Sequence, residues 1–207
     1  MMCDHHRRPS LRRWFFEGYS YKMETMQEIA FLRSMIETGL HEAGYADHPD
    51  DRGGPTMYGV TQATARANGY DGDMRSMGWA VALQIYYALY WIKPGWHRIS
   101  EVDEPLAFAL FDAGVNHGSH RAGCFLQEAI NISNRNQKIV GNLKVDGLCR
   151  VKTHQALAAV QGQGELRAKS IAWWVGALRG AFYRDLIRAD ESQEAFALGW
   201  INRIMGG

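Results

Sequence analysis

Apolar residues recur at helical spacing from about residue 25 of the chain. Ile29, Leu32, Ile36 and Leu40 repeat every three to four positions, which predicts an amphipathic helix with that stripe turned inward. Thr25-Met26-Gln27-Glu28 reads as a capping box at its start, the Thr hydroxyl and the Glu carboxylate each serving an otherwise free backbone N–H. The pattern runs to about Glu42, and Gly44 supplies a C-terminal stop. Asp, Pro and Gly then crowd residues 44–60. They predict a loop or a short hairpin, with Gly-punctuated strands near Tyr45 and at Met57–Val60.

Thr61 can cap a short helix through Ala67. Residues 77–91 are apolar nearly all round, so a buried helix is expected there, ended by Pro94-Gly95. Pro105 suits the first turn of a helix reaching about Asn116. Gly118 breaks it, and Ser119 can cap the next, through about Asn131. Residues 132–149 are polar and contain Gly, and read as a connection between lobes. Helices follow near 151–160 and 165–188, and Ser192 can cap a last one ending near Met205. Residues 1–23 show no periodicity and read as a flexible extension. Seven or eight helices with one small β excursion make the expected fold all-α.

The chain has 207 residues, 46% hydrophobic and 22% charged, which suits one large domain or two small lobes around a sizeable core. Seven Trp and nine Tyr exceed what a helical core needs; such rings stack on sugars as well as fill interiors. A net charge of +1 leaves no basic footprint for nucleic acid. Arg7, Arg8, Arg12, Arg13 and Lys22 make the start basic. No apolar run there suits a signal peptide or a membrane span. The expectation is synthesis in the cytoplasm without a visible export signal, and delivery by another agent. Cys3, Cys124 and Cys149 form neither a metal spacing nor an even framework, so free thiols are expected. His5-His6 reads as incidental. Gly118-Ser119 separates His117 from His120, and Asp47, Asp50 and Asp51 do not follow a calcium-loop pattern. No metal or cofactor is expected.

The chemistry-bearing stretch begins at Glu42. At a helix C-terminus the backbone dipole opposes a carboxylate, and apolar packing opposes it further. Both raise the pKa, as a glycosidase acid needs if it is to hold a proton near neutral pH. An exposed Glu at a fraying helix end is the plain alternative. Asp51 follows nine positions later, with Gly53-Gly54 and Thr56 behind it. A Gly-rich hairpin can fold this second carboxylate back towards the first, and inverting glycosidases keep about 6.5–9.5 Å between the two to admit a water. A Thr hydroxyl nearby can position that water. Asp50, Asp51 and Gly53 also have ordinary turn roles.

Glu42-Ala43-Gly44-Tyr45, followed by Asp51-Arg52-Gly53-Gly54-Pro55-Thr56-Met57-Tyr58-Gly59-Val60-Thr61, resembles the glycoside hydrolase 108 family of N-acetylmuramidases. The order Glu, Asp, Thr also resembles phage-type lysozymes. Phe111-Asp112 with Val115-Asn116 and Gly118, Leu126-Gln127, Val145-Asp146-Gly147 with Thr153, Arg179 through Arg184, and Gly199-Trp200-Ile201-Asn202-Arg203 resemble later elements of the family. The similarity covers most of residues 26–205. It implies a lysozyme-like, mainly helical fold with a small β-hairpin near the active site, Glu42 as essential acid, and supporting roles for Asp51 and Thr56. It also implies a catalytic lobe over 24–100 and a helical lobe with a peptidoglycan-binding region over 101–207. Two positions depart from the pattern. Ala43 replaces a Gly and would be strained at positive φ; Arg150 replaces a Gly in the later turn.

Tyr45 and Tyr58 either line a sugar groove or pack the hairpin. Asn116 either hydrogen-bonds an N-acetyl group or caps the chain. Trp173-Trp174 fit a core or lobe interface better than a sugar platform. The expected function is hydrolysis of the β-1,4 bond between N-acetylmuramic acid and N-acetylglucosamine by a monomer acting on peptidoglycan glycan strands. A holin or a dedicated secretion pathway would deliver it, in an endolysin or secretion-activator role. A lytic transglycosylase, or a non-catalytic peptidoglycan-binding protein assisting secretion, are the alternatives.

Overall fold

The computed structural model describes residues 26–39, 43–47 and 54–205. In chain order the helices are α1 (Met26–Glu37), α2 (Gln62–Ala67), α3 (Trp79–Tyr86), α4 (Trp96–Ser100), α5 (Glu104–His117), α6 (Ser119–Ser133), α7 (Val151–Gln161), α8 (Glu165–Ala189) and α9 (Ala197–Met205). Strands β1 (Thr56–Met57) and β2 (Val60–Thr61) lie between α1 and α2. Nine α-helices and one two-stranded sheet among the described residues make the mainly-α, lysozyme-like fold that was expected. Contacts divide the chain into two units. One runs from Gly39 to Tyr87; the other joins Met26–Thr38 to the chain from Ala88 onward.

In the first unit, β1 and β2 pair antiparallel, Thr56 opposite Thr61 and Met57 opposite Val60. Tyr58 (φ 51°) and Gly59 (φ 74°) form the two-residue turn. A type I′ turn, whose twist matches that of its strands, needs positive φ at both central residues. Gly59 adopts this freely. Tyr58 is held there by the Tyr86 hydroxyl, which donates to the Tyr58 carbonyl at 3.0 Å. Ala46 adds a bridge to Thr56 through two backbone bonds of 2.9 and 2.7 Å. Thr61 caps α2, its hydroxyl accepting from the Thr64 N–H at 3.2 Å.

The second unit is built around three rings. Phe31 on α1, Trp91 and Phe111 on α5 are fully buried and meet pairwise at 5.7–5.8 Å in tilted or edge-on contacts. Each such contact contributes about 0.5–1.5 kcal/mol beyond burial. This triad sets the phase of α1. Ala30, Phe31, Ser34 and Met35 face inward, while Ile29 and Ile36 are exposed, Ile36 by 64%. The stripe expected from Ile29, Leu32 and Ile36 is therefore corrected: the large ring at Phe31 fills more of the interior than a β-branched side chain on the opposite face. Helix α1 also stops at Glu37, short of Glu42, because Thr38 and left-handed Gly39 (φ 67°) turn the chain.

The expected buried helix over 77–91 divides into α3 and a π-helical turn, Tyr87–Ile92. Its buried residues are Ala82, Ile85, Tyr86 and Trp91, so burial is one-sided. Two caps also differ from expectation. Gly118, rather than Ser119, holds the cap position between α5 and α6. Asp190, rather than Ser192, caps the 3₁₀ turn Glu191–Phe196 that precedes α9, accepting from the Ser192 N–H at 3.0 Å.

Gln127 organises the chain after α6. Buried on α6, its carbonyl accepts from the N–H groups of Asp146 and Gly147 at 2.9 and 2.8 Å, and its amide donates to the Asp146 carboxylate at 3.0 Å. These bonds hold the Asp146 carboxyl below its usual range, Gln127 first and the Leu148 N–H second. A Cβ on Gly123 would collide with the Gly147 carbonyl, so both glycines permit the close backbone approach. Arg150 stands at the N-cap of α7 with φ −103° and ψ −172°, an extended conformation open to any residue; its departure from Gly strains nothing.

Candidate active site

Six residues were singled out for chemistry or substrate contact. Glu42 and Asp51 lie outside the described residues, as do Thr25, Leu40, Cys3 and residues 1–23. Thr56, Tyr45 and Tyr58 all belong to the first unit, on or beside the hairpin. Asn116 belongs to the second.

The two threonines that face each other across the hairpin have different employment. The Thr61 hydroxyl caps α2 and bonds to the Thr64 hydroxyl at 3.0 Å. The Thr56 hydroxyl donates to the Gly54 carbonyl at 3.4 Å, the outer edge of hydrogen-bond range. So weak a bond exchanges readily for water, and Thr56 is half-buried. Its backbone is meanwhile fixed on both sides by Ala46 and β2.

Tyr45 donates to the Asp47 carboxylate at 3.1 Å, and the Arg75 guanidinium lies 4.3 Å above its ring. Desolvation first, then the Asp47 bond, raise the Tyr45 phenol above its ordinary pKa, with Arg75 acting the other way. It is a neutral hydrogen-bonding group at neutral pH. Tyr58 meets Trp79 edge-on at 5.1 Å. The hairpin-packing role is thus present for Tyr58, while the Tyr45 ring carries a cation. Arg75 and Trp79 went unnoticed in the sequence; each lies about twenty to thirty residues from its partner, and no local spacing links them. Ala43 is not among the left-handed non-glycine residues, Tyr58, Arg135, Asn136 and Gln137, so its methyl brings no backbone strain.

Asn116 donates to the Asp112 carbonyl at 2.7 Å and to the Asp112 carboxylate at 3.1 Å. This engagement favours the structural role for its amide. Asn116 itself is exposed, at the edge of a buried polar cluster. Asp112 and Arg179, each 3% exposed, form an ion pair at 2.5 Å. Arg203 of α9 reaches the other Asp112 oxygen at 3.2 Å. The Arg179 Nε–H donates to the Tyr183 hydroxyl at 3.0 Å, and that hydroxyl lies 2.8 Å from His117 Nε2. The Tyr183 hydroxyl can accept from Arg179 and still either donate to a bare His117 Nε2 or accept from a protonated one. Trp200 stacks on Tyr183 at 4.5 Å. The elements around Asp112, Arg179 and Trp200–Arg203 therefore converge on one spot.

Burial, and then the Arg179 charge, lower the His117 pKa to about 4, with Arg121 and Arg203 acting alike and Asp112 opposing. The unfolded chain takes up this proton near 6.5, the folded one only near 4. Stability is therefore lost as pH falls through that window. Burial lowers His97 and His154 in the same direction. Urea unfolding between pH 7 and 4.5 is expected to show declining stability, with a slope shallower by up to about one proton in His117→Gln. An unchanged slope in the variant would contradict the neutral assignment of His117.

Neither described thiol offers a nucleophile. Burial raises Cys149 to about 12 and raises Cys124 as well, so both stay protonated. Among the described residues no three His, Cys, Asp or Glu side chains gather as a metal site would.

Residues 36–118 match the family model of glycosyl hydrolase 108, and residues 122–205 match a predicted peptidoglycan domain. All six singled-out residues fall within the first match. No curated protein matches the chain. Among solved structures, that of Brucella abortus SagA is similar, with 26% identity over 86% of this chain and 91% of that chain and a TM-score of 0.60.

Proposed function

Because the chain belongs to the glycosyl hydrolase 108 family, we propose that this peptidoglycan-directed glycoside hydrolase is an N-acetylmuramidase. Its bond is the β-1,4 link between N-acetylmuramic acid and N-acetylglucosamine. Glu42 delivers a proton to the glycosidic oxygen as that bond breaks. Asp51 activates the incoming water or stabilises the oxocarbenium-like transition state, and the Thr56 hydroxyl positions the water. The water oxygen bonds to the anomeric carbon, and its proton leaves to the carboxylate. The chain's carboxylates and hydroxyl suffice, without a cofactor.

The observation that carries the hydrolytic reading is the Thr56 hydroxyl, held on a rigid hairpin by one long bond. A transglycosylase closes a 1,6-anhydro ring and has no use for a positioned water. Action at the cell wall follows from the substrate. Among the described residues no helix is long and apolar enough to cross a membrane. Delivery through a holin or a dedicated pathway, in an endolysin or secretion role, and a monomeric state complete the proposal.

Mass spectrometry of digested sacculi tests it. New reducing-end muramic acid is expected. Anhydro-muramic products would move the chain to the transglycosylases, and intact sacculi to a binding role in secretion.

A further inference from the structure

Residues 135–137 are three successive non-glycine residues with left-handed φ: Arg135 at 52°, Asn136 at 57° and Gln137 at 61°. An L-residue pays a steric cost for this backbone at every step, so such a run persists only where its surroundings dictate it. Here they do. Asn134 is fully buried; its side chain accepts from the Val140 N–H at 2.9 Å and donates to the Val140 carbonyl and to Asn142. Asn131 brackets Leu143 in the same way, at 2.9 and 2.8 Å. The result is a fixed loop presenting four exposed polar side chains, Arg135 through Lys138.

Its charge is unbalanced. No acidic residue occurs between Glu128 and Asp146, whereas Arg135, Lys138 and Lys144 do. Among the described residues neither Arg135 nor Lys138 meets a carboxylate, although the nearby cation Lys169 does, pairing with Glu165. The base of the loop is tied to α8: Arg167 donates to the Ser133 carbonyl, and the Ser133 and Ser170 hydroxyls lie 3.1 Å apart. One turn along α8 from Ser170 stands Trp173, 65% exposed and set edge-on against Trp174 at 4.9 Å. The expectation that this pair fits a core or lobe interface is corrected for Trp173, which is not buried in the core. Its ring is a large flat apolar face left in water, braced by its neighbour.

We infer that the Arg135–Lys138 loop and Trp173 form a binding surface for the glycan strand of peptidoglycan within residues 122–205. The Trp173 face stacks on a sugar ring, and Arg135 and Lys138 pair with carboxylates of the stem peptides. This deepens the peptidoglycan reading above and rests on it. A glycan that carries free carboxylates at regular intervals matches both halves of the surface: an apolar sugar face and negative charge beside it.

Co-sedimentation of the full chain with acid-extracted sacculi, free of phosphate-bearing wall polymers, tests the surface. Glu42→Gln is the parent, so that the sacculi persist. Adding Trp173→Ala is expected to weaken binding about three- to tenfold, the usual worth of an aromatic contact. Arg135→Ala with Lys138→Ala is expected to weaken it about two- to tenfold and to flatten its dependence on salt. Unfolding midpoints should not move, since all three side chains are exposed. If the parent binds and the variants bind equally, this surface is wrong while the peptidoglycan reading stands. A parent that binds only unextracted walls would assign the cations to phosphate and overturn the inference. A parent that binds no wall at all would overturn both.

Discussion

Glu42→Gln abolishes useful glycan hydrolysis while leaving the fold intact: turnover on sacculi is expected to fall by about 10²–10⁴, the usual yield of general acid catalysis. Gln matches Glu in shape and retains a hydrogen-bond donor, so substrate binding should change little. What it lacks is a transferable proton, and the departing sugar oxygen must then leave as an alkoxide. The loss should therefore fall on kcat, with KM nearly constant. The pH profile carries a second signature. In the wild type the alkaline limb of kcat/KM reports the acid's pKa, and that limb should disappear from the residual rate of the variant. Helix α1 ends at Glu37, so the negative pole of the helix acts on its last turn around Glu37. Wild-type turnover in Glu42→Gln would sink the assignment of the acid.

Asp112→Ala is expected to destabilise the chain by about 3–5 kcal/mol, the penalty for leaving a buried charge alone. Arg179 would remain 3% exposed with its counter-ion gone. The same variant removes the Asn116 bond to the carboxylate, though not the one to the Asp112 carbonyl, and the Arg203 contact that binds α5 to α9. Thermal unfolding should drop on the order of 10 °C for a chain of this size. Arg203→Ala should cost much less, because that side chain is 41% exposed and water replaces its partner. The double variant Asp112→Leu with Arg179→Met should recover a large part of the loss, since apolar groups of similar volume need no partner. A single Asp112→Ala with an unchanged unfolding midpoint would mean that the cluster contributes nothing to stability.

Much of the fold was legible locally, because local chemistry determined it. Thr61 caps the short helix α2 as expected, and Pro105 sits in the first turn of α5. The helices expected at 151–160 and 165–188 form as α7 and α8 within one residue. The hairpin at Met57–Val60 follows from Tyr58-Gly59, a turn whose geometry two residues can set. Of the candidate site, residue types and order were readable: a Glu, an Asp and a Thr at fixed intervals, all inside the segment that matches a glycosyl hydrolase. Backbone propensity, capping and turn chemistry act over a few residues, and a sequence displays them directly.

Tertiary structure decided what depends on partners far along the chain. Which face of α1 turns inward rests on Phe31 meeting Trp91 and Phe111; the pattern of Ile29, Leu32 and Ile36 has the same period, so periodicity alone chose the wrong phase. The Asp112 cluster joins residues 67 and 91 positions apart, and the motifs containing them say nothing of a shared buried charge. Arg75 reaches Tyr45, and Trp79 reaches Tyr58, only once the hairpin has folded. The left-handed run at Arg135–Gln137 has no glycine to announce it; Asn134 and Asn131 impose it through bonds to Val140 and Leu143. Pairing energy between distant groups exists only after the chain has brought them together. The sequence by itself therefore determined the elements and the chemistry on offer, and packing determined which faces, charges and rings were put to use.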